Sequence, residues 1–315
     1  MISIKKIHQA FISSWVVLVV CICVFVVFRF QSDWTNLELW GSTLIQIGIA
    51  LFLLQLNQIF AIIHRRTLLP ALFYIILVSW NPAFDSEWKE SLAALLMMVN
   101  YLFLFRTYQE PDSQLNALNI SLILVLGSFF QPQFLLFFPI FWIGFYWFHS
   151  FNLRVFLASL MGIIVVYLFL FAWSIFYWKD NLDKFDWGTF LSFLPKREEI
   201  FFVNELNLSD YKWISLGIIL FTYIFAGVNL FVVSISEKVR TISFLKYLYV
   251  SSFFIFAMAF VQSEHQAFWE LVASISIALV LAHYFTLTNK LYAKILMLFF
   301  IVALLVLGFL QHAPA

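Results

Sequence analysis

Apolar stretches of membrane-spanning character recur along this chain and leave little sequence between them. We count eleven, at residues 11–30, 42–63, 68–80, 92–105, 118–130, 133–149, 155–177, 214–236, 242–262, 267–287 and 295–311. Only 11% of the residues are charged, whereas a soluble domain carries about 25%. We therefore predict an all-α fold, a polytopic transmembrane helix bundle that forms one integral membrane domain over residues 1–315. Several stretches are shorter than the roughly 20 residues that a helix needs to cross a bilayer. The predicted number of spans is therefore about eleven, give or take two.

The charged residues separate by side when the connecting segments are assigned to alternate faces of the membrane. Lys5 and Lys6 belong in the cytoplasm by the positive-inside rule, and their placement fixes the side of every later segment. Eleven of the 18 Lys and Arg residues then lie on the inner side, and 14 of the 17 Asp and Glu residues lie on the outer side. This separation predicts an N-in, C-out topology.

Tryptophans agree with this topology, because they favour the level of the lipid headgroups. Eight of the 12 fall at or near predicted outer boundaries: Trp34, Trp40, Trp80, Trp88, Trp178, Trp187, Trp213 and Trp269. We expect these eight side chains to form an interfacial belt.

Residues 178–213, between spans seven and eight, form the longest segment outside the apolar stretches. Seven acidic and five basic residues alternate there with aromatic and aliphatic ones. This pattern favours an amphipathic helix that lies in the outer interface and ends at Pro195. The segment is too short for a domain with its own core.

A turn interrupts the apolar sequence in the middle of the chain, at Gly127–Gln133. Pro132 lacks a backbone donor and disfavours helical geometry in the residue before it, so we predict two half-length helices that meet here. If the turn lies within the bilayer, Gln131 and Gln133 must line protein or water, because lipid cannot satisfy their amides. The alternative is an ordinary external turn between two spans.

Amide side chains are concentrated in the second span. Gln46 and Asn57 are eleven residues apart, about three helical turns, and share a face, whereas Gln55 lies nearly opposite Gln46. Two interpretations are open: a polar groove for a head group or sugar, or hydrogen bonds between helices. We favour hydrogen bonds between helices, which are the common role of amides in membrane proteins.

Ionisable residues inside spans usually mark ion or proton pathways. Glu270 falls within a turn of the outer end of the tenth span, and His283 falls within a turn of its inner end. The span centres carry no Asp, Glu, Lys or Arg. This distribution argues against a proton-coupled or sodium-coupled transporter and ranks small-molecule transport last.

Two carboxylates follow the first span on the outer side, Asp33 beside Trp34 and Glu38 beside the second span. In side, position and span count they resemble the membrane glycosyltransferases that use polyprenyl-linked sugar donors, which place a catalytic Asp in the first outer loop. The resemblance implies that Asp33 acts as a general base, with Glu38 as a second catalytic candidate. The first outer loop of those enzymes is long and partly helical, whereas here it has about eleven residues. The alternative is that both are solvated boundary residues.

Further polar residues could line a substrate groove with these carboxylates. The groove candidates are Asp85, Glu87, Glu90, Gln131 and Gln133.

Sequence patterns for cofactors and metals are lacking: the chain contains no Walker loop, Rossmann glycine pattern or H-E-x-x-H. The six histidines fall at span ends or termini on both sides of the membrane, so they cannot form one metal site. We predict neither a cofactor nor a metal, and a net charge of +1 gives no reason to expect nucleic acid as a partner.

A resemblance to a known family covers Ser121–Trp178. It lies in the Gly127–Phe130 turn into Pro132, in Phe151–Arg154, in Gly162 and in Tyr167–Phe169. These residues resemble an uncharacterised family of bacterial multi-pass membrane proteins, a domain of unknown function. Members often carry a proline a few residues after that glycine, where this chain has Ile163–Val166. The resemblance implies a multi-pass protein of the bacterial inner membrane and brings no established activity.

Three functions remain open. The leading hypothesis is a non-enzymatic component of envelope assembly or export, with membrane lipid and other envelope proteins as partners. The first alternative is a lipid-linked glycosyltransferase-like enzyme with its active site on the outer face and a polyprenyl-linked sugar as substrate. The second alternative is a small-molecule transporter.

Overall fold

The computed structural model describes residues 15–30, 35–63, 67–81, 88–177, 210–232, 238–262, 265–288 and 290–312. Within these residues the chain forms eleven α-helices and no strand, so the predicted all-α fold is confirmed. The helices are α1 (Trp15–Arg29), α2 (Leu37–Phe60), α3 (Leu69–Ser79), α4 (Trp88–Arg106), α5 (Gln114–Ser128), α6 (Phe137–Trp147), α7 (Leu153–Tyr177), α8 (Asp210–Val232), α9 (Val239–Val261), α10 (Gln266–Leu287) and α11 (Leu291–His312). Each helix overlaps one predicted apolar stretch.

Seven of the described helices are long and apolar enough to cross a membrane: α2, α4, α7, α8, α9, α10 and α11. The apolar helices at Trp15–Arg29, Leu69–Ser79, Gln114–Ser128 and Pro132–Trp147 are shorter. By length and composition the protein is a multi-pass membrane protein. The number of spans and the N-in, C-out orientation stay predictions.

The chain divides into two compact units. Unit 1 combines Met1–Leu95 with Glu205–Ala315, and unit 2 is the intervening Leu96–Asn204. The single domain predicted over residues 1–315 stays a prediction. Most of the predicted interfacial segment, 178–209, lies outside the described residues, and 210–213 begin α8.

Two helices occupy the centre of unit 1. Every residue of α3 is buried, although this helix is only 11 residues long. It packs against α1, α2, α10 and α11. In α10, 94% of the membrane-spanning window is buried, and the helix packs against α3, α8, α9 and α11. Pro70 in the first turn of α3 suits a helix start, because the amide it lacks would have no partner within the helix.

The ends and faces of α2 follow from its polar residues. The side chain of Asn36 caps the helix by accepting from the backbone N–H of Glu38 at 3.0 Å. At the other end, Asn57 Oδ1 accepts from the backbone N–H of Ile63 at 2.8 Å. Gln46 and Asn57 are buried and Gln55 is exposed, so the predicted division of faces is confirmed.

Helices α5 and α7 of unit 2 lie side by side and run in the same direction. Their first turns are adjacent, because Asn152 Nδ2 donates to the carbonyl of Pro111 at 2.7 Å. Further along, a Cβ added to Gly162 would meet the Ser121 side chain and would lie 3.0 Å from the carbonyl oxygen of Leu118. Glycine at position 162 therefore allows the two backbones to approach closely.

The predicted interruption of unit 2 is present, as a break between α5 and a 3₁₀ helix at Pro132–Leu136 that leads into α6. The Phe134 ring lies against Gly127, where a Cβ would come within 2.5–2.7 Å of the ring carbons. Gln131 and Gln133 are both buried. Two half-length helices that meet at this turn are confirmed, and the depth of the turn in the membrane stays a prediction.

Two of the eight boundary tryptophans do not belong to an interfacial belt. Trp80 and Trp269 are 2% and 0% exposed, so the prediction for them is wrong. Both occur at a helix end, as the sequence indicated, but on the side that packs against other helices. Trp40 and Trp213 are partly exposed at 37% and 46%.

Candidate functional site

The residues predicted as a catalytic or substrate site are only partly described, and the prediction that they form one site stays a prediction. Asp33, Asp85 and Glu87 lie outside the described residues. Glu38 is exposed in the first turn of α2, and Glu90 is buried in the first turn of α4.

Glu38 and Glu90 lie at different heights along the axis of α2. Gln46 Nε2 donates to Ser91 Oγ at 2.9 Å, so the first turn of α4 lies beside Gln46. Gln46 is eight residues beyond Glu38, roughly 12 Å along the helix axis. Glu38 and Glu90 are therefore separate features. Gln131 and Gln133 belong to unit 2, where they flank Pro132.

A different carboxylate, Glu270, lies inside unit 1 and is only 3% exposed. It occupies the second turn of α10. Asn81 Nδ2, just after the end of α3, donates to Glu270 Oε2 at 2.8 Å. Gln266 Nε2, one turn earlier on α10, donates to Glu270 Oε1 at 2.5 Å. Both carboxyl oxygens therefore accept a hydrogen bond from an amide.

A lysine joins this arrangement through the amide of Gln266. Lys212, in the first turn of α8, donates from Nζ to Gln266 Oε1 at 3.3 Å. Ser274 Oγ donates to the backbone carbonyl of Glu270 at 2.7 Å. We refer to Asn81, Lys212, Gln266, Glu270 and Ser274 as the Glu270 cluster. A cation one amide away compensates the buried negative charge, which would otherwise be very costly in a membrane.

Helical periodicity explains why α8 and α10 supply these groups. Gln266, Glu270 and Ser274 recur every four residues and so share one face of α10. Lys212 and Leu216 likewise share one face of α8. Both helices begin at this cluster and pack against each other, so they run in the same direction.

A narrow crevice adjoins the Glu270 carboxylate. It is lined by Leu77, Trp80, Leu216, Ile219, Phe256, Glu270, Ser274 and Ile277. It has room for roughly one water molecule. Its apolar walls and its single carboxylate suit a water molecule or a proton far better than an organic substrate.

A second crevice shares Ile219, Phe256 and Ile277 with the first and reaches Tyr223 on α8. The Tyr223 hydroxyl forms a hydrogen bond with Ser252 Oγ on α9. It also donates to the backbone carbonyl of Tyr249 at 3.1 Å. The three side chains that line both crevices are apolar.

A buried arginine forms a second polar cluster in unit 1. Arg29, the last residue of α1, donates from Nη1 to Gln46 Oε1 and from Nη2 to Ser42 Oγ, the latter at 2.9 Å. Its guanidinium lies 5.3 Å from the centre of the Phe25 ring. With Ser91 this set forms the Arg29 cluster, which ties α1, α2 and α4 together. The preferred interpretation of Gln46, as a hydrogen-bonding residue between helices, is confirmed.

Sequence reasoning placed Glu270 near the end of a span but did not identify its partners. The spacing of Gln266, Glu270 and Ser274 was a usable signal, because it marks a polar stripe on an apolar helix. Asn81 gave no such signal, since it is 189 residues from Glu270. Within the described residues, no three His, Cys, Asp or Glu side chains form a group suited to a metal ion.

A family model described as a family of unknown function, DUF6427, matches residues 1–314. No curated protein and no solved structure matches the chain. The chain therefore belongs to the DUF6427 family, and the expectation that it belongs to an uncharacterised family is confirmed.

Proposed function

We propose that this DUF6427 protein is a non-enzymatic component of envelope assembly or export, which resides in the inner membrane of a bacterium and acts by binding other envelope proteins. The observation that carries the proposal is that the buried charged side chains form hydrogen bonds between helices. Arg29 and Glu270 are each held by side chains from neighbouring helices.

Hydrogen bonds of this kind define how membrane helices pack, at roughly 0.6–2 kcal/mol for each contact. A catalytic base must instead reach a proton on its substrate. The Glu270 carboxylate is enclosed by two amides and apolar side chains, beside room for roughly one water molecule. This setting suits a structural or proton-binding role.

The location in the bacterial inner membrane is inferred from the sequence. The charge separation follows the positive-inside rule. The residues around Gly127–Pro132 resemble bacterial multi-pass proteins. Fractionation of the host membranes tests the location, since the protein should be recovered with inner-membrane markers.

The glycosyltransferase alternative depends on Asp33 and Glu38, and it predicts that their carboxylates are indispensable. A strain that lacks the protein should be complemented with the wild-type chain or with an Asp33→Asn, Glu38→Gln double variant. We expect both to restore envelope integrity and the surface glycan profile equally, because a non-enzymatic component needs no general base at either position.

A matched variant controls for expression. Gln55→Ala alters an exposed amide on α2 and should also complement fully. If the double variant accumulates to the wild-type level and leaves the surface glycans defective while Gln55→Ala restores them, the non-enzymatic proposal is wrong and the glycosyltransferase takes its place.

A further inference from the structure

We propose that Glu270 is a proton-binding site, and that proton binding reverses the hydrogen-bond chain from Lys212 through Gln266 to Glu270 and detaches Lys212. The ligand is a proton delivered from water to a carboxylate oxygen. The Glu270 cluster, with its directional amide between a cation and an anion, is the geometry from which this follows.

The chain of hydrogen bonds has one polarity while both ends are charged. An ammonium only donates and a carboxylate only accepts. The Gln266 amide between them must therefore turn its oxygen to Lys212 and its nitrogen to Glu270, and the structure has this orientation, at 3.3 and 2.5 Å.

A proton on Glu270 Oε1 removes one of the two reasons for that orientation, the carboxylate that only accepts, and sets the acid in competition with Lys212 for the amide oxygen. The neutral acid carries an O–H donor that now faces the Gln266 NH₂ group, and two donors oppose each other. Rotation of the amide by half a turn brings Gln266 Oε1 to the acid. The same rotation points its NH₂ group at Lys212, which loses its acceptor. A hydronium ion gives its proton to Glu270 Oε1 and leaves as water, so one O–H bond of hydronium breaks and the carboxyl O–H bond forms. The hydrogen bond from Lys212 to Gln266 is exchanged for one from the acid to Gln266.

The crevice beside Glu270 provides a site for the water molecule that would transfer the proton. The crevice, which Glu270, Leu216 and Ile219 help to line, has room for roughly one water molecule. A water at this place can receive a proton from the solvent as hydronium, pass it to the acid and remain as water.

The described charged and polar groups near the cluster come from the helices packed around it, including α11, whose Gln311 Nε2 donates to Ser215 Oγ of α8 at 3.2 Å. Helix α8 contributes Lys212, and α10 is preceded by His265, five residues before Glu270. Trp80 and Asn81, which follow the end of α3, lie at the cluster. Phe256 of α9 lines the crevice. Gln262, just past the end of α9, accepts from Trp269 Nε1 at 2.8 Å. Among the described groups that contact Glu270 or Gln266, Lys212 supplies the positive charge.

Infrared difference spectra of the full chain in nanodiscs test the proposal as the buffer is acidified. We expect a carbonyl band of a protonated carboxylic acid to appear, to be absent in Glu270→Gln, and to move in frequency in Glu270→Asp. In Lys212→Met the midpoint of this band should move to higher pH by about one unit or more, because a nearby cation favours the carboxylate. Lys212→Arg should restore the wild-type midpoint.

The role of the amide has its own test, a double-mutant cycle. In a Gln266→Leu background, Lys212→Met should shift the midpoint much less than in the wild-type chain, because the connection is already broken. The exposed carboxylate variant Glu38→Gln should leave band and midpoint unchanged.

Three results would overturn the proposal. The carbonyl band could be missing over the whole pH range in which the protein stays folded, or it could persist in Glu270→Gln. Alternatively, Lys212→Met and Lys212→Arg could both keep the wild-type midpoint. If Glu270→Gln does not fold, the frequency change in Glu270→Asp still assigns the band to this residue.

Discussion

Helices α7 and α10 are both long enough to cross a membrane, yet they are built for opposite surroundings. In α10, 94% of the spanning window is buried inside the protein, whereas in α7 the share is 22%. The more buried helix is the less apolar of the two. It carries Glu270, Ser274, Ser276 and His283, whereas the exposed side chains described in α7 are apolar apart from Arg154 in its first turn.

The difference shows how hydropathy works in a membrane protein. Lipid tails solvate apolar side chains but form no hydrogen bonds with polar groups. A helix that exposes a wide face to lipid must therefore be apolar over that face. A helix enclosed by other helices can carry polar residues, because its neighbours satisfy them. In this chain the peak of hydropathy therefore indicates the periphery, and the polar stripe indicates the centre.

The largest expected effect comes from removing a buried leucine of α10. Leu281→Ala should lower the free energy of unfolding by about 2–5 kcal/mol, because Leu281 is fully buried and a cavity would remain. On α7, Leu168→Ala should change it by less than about 0.5 kcal/mol, since Leu168 is 59% exposed. Thermal unfolding of both variants in one detergent measures the contrast. Equal losses would refute the assignment of α10 to the centre.

Next in size is the loss of the buried carboxylate. Glu270→Leu should destabilise unit 1 by about 3 kcal/mol, because Asn81 Nδ2 and Gln266 Nε2 both lose their acceptor. Denaturant titration of the purified protein measures the loss. Glu38→Leu, at an exposed position of α2, is the matched control and should be close to neutral.

The close approach of α7 to α5 at Gly162 should respond to a smaller change. Gly162→Ala should cost about 2 kcal/mol, because the added methyl group meets Ser121 and the Leu118 carbonyl and forces α5 and α7 apart. Met161→Ala alters the neighbouring, half-exposed position and serves as control in the same thermal assay. A harmless Gly162→Ala would show that the two helices are not in close contact.

The smallest expected effect concerns the polar contact of α7. Trp142 Nε1 donates to Ser159 Oγ at 3.1 Å, so Ser159→Ala should cost about 0.6 kcal/mol, the average for such bonds in a membrane. Ser243→Ala, at an exposed position whose hydroxyl donates to the Val239 carbonyl of its own helix, should cost less. Unfolding curves of the Ser159→Ala and Ser243→Ala variants, measured in parallel and repeated at several protein concentrations, compare the two losses of stability.

Most of the fold could be predicted because helices in lipid satisfy their own backbone, so apolar runs translate directly into helices. The break at Pro132 and the buried face of Gln46 and Asn57 are local consequences of backbone chemistry and helical period. Both were predicted correctly.

The partners within unit 1 could not be predicted in this way. The contact between Asn81 and Glu270 joins positions 189 residues apart, and nothing in either neighbourhood specifies the other. The tryptophans show the same limit. The sequence placed Trp80 and Trp269 at helix ends but could not distinguish lipid from a neighbouring helix, which favours the same apolar ring.

The division of unit 1 along the chain has a consequence for how the protein is made. Helix α3 has 11 buried residues, and α10, against which it packs, is translated almost two hundred residues later. The continuous unit 2 can assemble during that interval, as compact units commonly do during synthesis. The first helices of unit 1 meanwhile remain without their central partner. A ribosome that stalls before α10 would leave a half-built bundle in the membrane, exposed to quality-control proteases.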